Sequence, residues 1–230
     1  MRTPAATATG RRSRVVIGAA VVGITIAYPL AWAAVATHAG IIYNMFPVAM
    51  PGPYNSCDDA GTTRDPLTDA FCRTDGASVS VWIDSSELDP TAVGNINFTI
   101  DNRIGGTNGM SVVRPGSPTL TGYPETDIIY RRSGTVSAGL AGWTWCNAMF
   151  DSVVCDQHYI DFRSNTTATR IAACHETGHA VGLTHGAQAY HDTTDLDPDL
   201  RCMGTPDPAY DNWGTSNAEV VEETYAPGFD

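Results

Sequence analysis

Four short segments carry strand-like patterning. In "ASVSVWID" the apolar Val79, Val81 and Ile83 take every second place, the period of a strand with one face turned inward. "TDIIYRR" (126–132) has a short apolar run with β-branched residues and reads as a buried strand. "GLAGWTWC" (139–146) and "CDQHYIDFR" (155–163) read as two more strands, joined by a turn. Elsewhere the period lengthens. After Asp89-Pro90, a helix start with proline at the first helical position, Val93, Ile96, Ile100 and Ile104 follow helical spacing. Ile96, Phe98 and Ile100 also alternate and Gly94 weakens a helix, but the start signal favours one. "SNTTATR" offers caps for a helix running through Ile171, Ala172 and Ala173. Ser216 and Glu219 resemble a capping box for a last helix that buries Val220, Val221 and Tyr225. Strands first and helices later predict an α+β domain over residues 77–230.

The beginning of the chain is different. "RRSR" precedes Val15–Ala36, a stretch without a charge that ends in small residues around Ala31, Ala33, Ala34 and Ala36. Residues 1–36 are therefore expected to be a signal peptide, with a membrane anchor as the alternative. Residues 37–76, rich in Pro, Gly, Asp and Thr, are expected to be a loop-rich arm or a short pro-segment. The net charge is −12, and none of the 25 acids lies before residue 37. So acidic a surface repels phosphate backbones and argues against nucleic-acid binding.

Export changes the reading of the six cysteines, which in an oxidising compartment predict three disulfides among 15 pairings. Proximity suggests Cys57–Cys72 and Cys146–Cys155, leaving Cys174–Cys202.

The chemistry is concentrated in "ACHETGHAVGLTHG" (173–186). His175 and His179 are four apart, which on a helix places both imidazoles on one face. Glu176 lies about 100° round from His175, able to reach a water without being a ligand. Gly182 tolerates the left-handed conformation that ends a helix, and the turn it permits can return His185 to the same ion. Three imidazoles and an open fourth position describe a catalytic zinc site. Apolar neighbours (Ala172, Ala173, Ala180, Val181, Leu183) disfavour a merely solvated polar helix, because unpaired polar groups there would be costly. Cys174 points about 100° away from His175 and is expected to staple the helix to Cys202 rather than to bind metal.

H-E-x-x-H-x-x-G-x-x-H, matched at His175, Glu176, His179, Gly182 and His185, resembles the signature of the metzincin zinc endopeptidases. "RCMGT" supplies Met203 for the family's methionine turn. The small size and short spacer are most similar to matrixin-type members. The resemblance implies a zincin-like α+β fold: a twisted mixed sheet packed on a long zinc-binding helix, with a small C-terminal subdomain holding the methionine turn and a final helix. "TDIIYRR" resembles the central strand. "GLAGWTWC" resembles the edge strand above the cleft, so peptide substrate would pair near Ala138, Gly139, Leu140, Ala141, Gly142 and Trp143. The implied activity is a secreted, monomeric, zinc-dependent endopeptidase acting on proteins or peptides. Alternatives are a zinc-retaining, non-proteolytic binding or adhesion module and a membrane-anchored surface protease. The S1′ pocket would lie in the 204–212 loop. No "PRCGxPD"-like segment is present for cysteine-held latency, and no tyrosine stands two residues after Met203. His158 and His191 are expected to be structural or surface residues. Asp192, Asp195, Asp197 and Asp199 are close enough to raise calcium binding, against the plainer reading of a solvated loop.

Overall fold

A computed structural model describes residues 42–46, 72–150, 153–189, 193–205 and 210–227. The expected signal segment, Cys57, most of the 37–76 arm, His191, Asp192 and positions 206–209 lie outside the described residues. Among the described residues, no helix is long and apolar enough to cross a membrane.

Among the described residues six strands form one mixed sheet: β1 (Arg73–Thr74), β2 (Ser78–Ile83), β3 (Ser111–Val113), β4 (Ile128–Ser133), β5 (Gly142–Met149) and β6 (Val154–Arg163). Their order is β1-β6-β4-β2-β3, and β5 pairs with β6 off this path. All pairings are parallel except that of β5, which runs antiparallel to β6, with Thr144 opposite Ile160 and Cys146 opposite His158. Ile128, Ile129 and Tyr130 at the start of β4 are all buried, as expected of a parallel strand covered on both faces.

Among the described residues the first strand is at Arg73–Thr74, earlier than the alternation suggested, because a two-residue strand leaves no periodic signature. β5 begins at Gly142; Ala138, Gly139, Leu140 and Ala141 form exposed turn and loop before it and are not strand residues. Gly139 takes a positive φ of 109°, which breaks strand geometry there.

Helix α1 (Pro90–Thr99) starts where Asp89 accepts the Ala92 N–H at 2.9 Å. It continues as a π-helical turn over Ile100–Ile104, and Ile96, Ile100 and Ile104 enter the core. Helix α2 (Arg170–Ala180) is capped by Thr169, which accepts from Ala172 N. It has 11 residues, about three turns, and so is shorter than the long helix expected. Helix α3 (Gly214–Thr224) begins two residues before Ser216, with Trp213 at the cap position and no side-chain cap. Ser216 is therefore inside the helix and forms no capping box. Val220, Val221 and Tyr225 are buried, as the pattern required.

Two disulfides join Cys146 to Cys155 and Cys174 to Cys202. Cys72 is also disulfide-bonded. The first clamps the β5–β6 hairpin; the second ties α2 to the 3-10 segment Pro198–Met203.

Candidate metal centre

Helix α2 is buried almost all round, and its packing depends on small side chains. A Cβ on Gly178 would collide with the Met203 sulfur, and the Thr177 hydroxyl lies 2.7 Å from that of Tyr130 on β4. Trp213 donates its indole N–H to the Cys174 carbonyl at 3.3 Å. The helix ends in a paired cap: Leu183 N–H reaches Gly178 O at 2.8 Å and Gly182 N–H reaches His179 O at 3.0 Å. Gly182 adopts φ 98°, and a Cβ there would stand 2.8 Å from the Met45 sulfur, so glycine is required twice over.

The turn sends the chain back past the helix. Leu183 pairs with Met45, Thr184 N–H donates to Asn44 O at 2.7 Å, and Asn44 Nδ2 donates to Thr184 O at 2.8 Å. These bonds hold the segment that delivers His185.

His175, His179 and His185 then converge. Their ligand atoms all lie within 4.8 Å of one another, and this is the one group found among the described residues that can hold a metal ion. Nε2 of His175 is 3.0 Å from that of His179 and 3.2 Å from that of His185. Nδ1 of His175 faces the Cys202 carbonyl at 2.6 Å, and Nδ1 of His179 faces the Leu183 carbonyl at 2.7 Å. A carbonyl oxygen only accepts, so each Nδ1 carries the proton. Each Nε2 is then left with a lone pair. The His175–His179 contact at 3.0 Å is therefore two lone pairs face to face, an arrangement relieved by a cation. Burial first, then the neighbouring imidazoles, lowers the pKa of His179 well below its usual range. Burial, then the His175 imidazole, brings His185 down to about 3. Neutral imidazoles are what metal binding needs. The residues fit a divalent metal that favours nitrogen ligands, and the set supports zinc.

Glu176 is 7% exposed and lies beside this group. Burial raises the pKa of its carboxyl; His175, and hydrogen bonds from the Thr144 side chain and backbone, oppose the rise. Thr144 on β5 places its hydroxyl 2.8 Å from Glu176 Oε2. Among the described strands β5 pairs with β6 alone, and the face of β5 that carries Thr144 lies against Glu176.

Other residues singled out in the sequence lie elsewhere. His158 is fully buried, with Nε2 2.9 Å from the Cys72 carbonyl, and is not part of the histidine group. Asp195 accepts from Ala187 N, and Asp197 accepts from Asp199 N and the Thr193 hydroxyl, so these carboxylates brace their own loop. With Asp199 they form no metal-holding group among the described residues, and calcium finds no support there. Tyr210 lies under the Arg201 guanidinium at 4.4 Å.

Thr144, Gly178 and the Tyr43–Phe46 segment were not singled out from the sequence. Gly178 did leave a signal: glycine inside a helix costs about 1 kcal/mol relative to alanine, so its presence mid-helix points to a packing demand.

No family model matches the sequence, and no curated protein matches it. Among solved structures the chain is similar to high choriolytic enzyme 1, a hatching enzyme zinc-protease from the medaka fish Oryzias latipes. The identity is 14% and the TM-score 0.41, over 68% of this chain and 94% of that one. So distant a likeness carries no functional argument; the histidine geometry carries it instead.

Proposed function

We propose that this protein is a secreted, monomeric zinc endopeptidase of the metzincin type, with a zincin-like fold and matrixin-type proportions. The observation that carries the reading is the convergence of three imidazole nitrogens beside a buried glutamate. His175, His179 and His185 would hold the ion. Zinc bound there supplies a Lewis acid that acidifies water and polarises a peptide carbonyl. Glu176 acts as the general base: its carboxylate takes a proton from water and returns it to the nitrogen of the departing amine. Burial favours the protonated form of this group, which suits a base that must hold a proton between the two transfers. Met203, buried against Gly178, supports the centre from below in the manner of a methionine turn. Substrate pairs as an added strand with the open edge of β5. The disulfides and the charge-free segment at 15–36 support export.

The test is casein or gelatin cleavage by the purified protein, with and without a chelator, beside Glu176→Ala. Cleavage lost with the chelator, restored by zinc and absent in the alanine variant is the expected result. Robust cleavage by Glu176→Ala defeats the mechanism. Stoichiometric zinc with no cleavage of any protein points instead to a binding module.

A further inference from the structure

The strand at the edge of the sheet does more than border the metal centre. Thr144 Oγ1 lies 2.8 Å from both the backbone carbonyl and the Oε2 of Glu176, and Thr144 is 1% exposed. Two residues earlier, Gly142 faces the same side chain. A Cβ on Gly142 would stand 2.8 Å from Glu176 Cγ and 3.2 Å from Cδ and Oε1. Residues two apart on a strand share a face, so β5 presents a hydroxyl and a gap to one glutamate. Neither contact is local: residues 142 and 144 meet 176 only because β5 packs beside α2. Helix geometry fixes the Cα of Glu176, but its three side-chain torsions are free until something holds the carboxyl end. Thr144 holds it and Gly142 leaves the room. Among the described residues, Thr144 supplies the side-chain hydrogen bond to this carboxyl.

We propose that Thr144 and Gly142 are positioning residues that set where the Glu176 carboxylate stands, so that the edge strand and the base move as one unit. This rests on the reading of Glu176 as general base. Misplacing a catalytic group by about 1 Å costs on the order of 100-fold in rate, and losing the hydrogen-bond partner of a functional group costs roughly 10–100-fold. Threonine satisfies the site with its hydroxyl. Valine has the same shape without the donor; serine keeps the donor and loses a methyl.

The experiment uses the full-length zinc-loaded protein with Thr144→Val, Thr144→Ser and Gly142→Ala. Each is measured for peptide kcat and KM, zinc per chain and melting temperature. Thr144→Val is expected to lower kcat roughly 10–100-fold with KM within about twofold and zinc unchanged. Thr144→Ser should recover most of the lost rate. Gly142→Ala should also lower kcat without losing zinc. Full kcat in Thr144→Val, or equal loss in the valine and serine variants, overturns the proposal. A separate readout does not need activity: the Tm shifts of Thr144→Val and Glu176→Gln, alone and combined. Contacting residues give non-additive shifts, and strict additivity overturns the proposal. If the wild type cleaves nothing, the endopeptidase reading fails, and the link between Thr144 and Glu176 is still decided by that cycle.

Discussion

The two halves of the histidine centre are built by different means. His175 and His179 stand one turn apart on α2, so a local hydrogen-bonded helix sets their spacing. His185 is placed by a glycine turn, by three hydrogen bonds between Asn44 and Thr184, and by a chain segment from the other end of the domain. Even in the helical half, His175 is oriented by the Cys202 carbonyl, which belongs to the segment tied on by the Cys174–Cys202 bond. A helix thus supplies spacing cheaply, but the aim of each ring is set by contacts remote in sequence.

The largest expected effect comes from removing a ligand from either half. His179→Ala and His185→Ala should both lose stoichiometric zinc and fall to the rate of chelator-treated enzyme. They should differ without metal. His179 is 3% exposed and bonded to Leu183 O, so its loss should lower the melting temperature of the apo protein. His185 is only half-buried, and its replacement should leave the apo melting temperature nearly unchanged. Equal apo Tm values would erase the distinction between the halves.

Next comes the Cys174→Ala, Cys202→Ala pair. Losing the cross-link should cost about 2–4 kcal/mol by guanidinium unfolding of the metal-free protein. It should also weaken zinc binding roughly tenfold, because Cys202 O orients His175. Unchanged zinc affinity would show that the helix aims His175 by itself.

Gly178→Ala sharpens the comparison from inside the helix. Alanine raises helix propensity by about 1 kcal/mol, yet its methyl meets the Met203 sulfur. Overpacking of this kind costs about 1–3 kcal/mol. A lower Tm is expected, and a higher one would mean that helix propensity outweighs the tertiary contact.

The smallest effect lies outside both halves and reads the sheet. Burial brings the pKa of His158 down to about 4, opposed by its bond to Cys72 O. The folded state therefore holds this ring neutral, while the unfolded chain protonates it near pH 6.5. Its contribution to stability is whole above pH 6.5 and is lost as the pH falls towards 4. From about pH 7.5 to about pH 5.5 the loss is about 1 kcal/mol. His158→Gln should flatten the stability profile across that window, measured by urea midpoints at each pH.

How much could be read in advance depends on the range of the interaction. Alternation in 78–83, the Asp89-Pro90 start and the His175/His179 spacing are properties of neighbouring residues, and the structure contains the elements they imply. The capping box at Ser216 failed because burial of Trp213 and Asn217, the latter bonded to Leu200 O, sets where α3 starts. The strand expected to begin at residue 139 begins at Gly142, where pairing with Phe162 starts. No local pattern encodes that register.

The sequence by itself determined the three histidines proposed as ligands, the helix that spaces two of them, the glycine that ends the helix and the cysteines that flank the centre. Tertiary structure decided which nitrogen of each ring faces inward, where Glu176 stands, and why Gly142 and Gly178 must be small. Spacing along a helix follows from 3.6 residues per turn, whereas ring tautomer, carboxylate position and steric room depend on atoms that the chain brings together only when it folds.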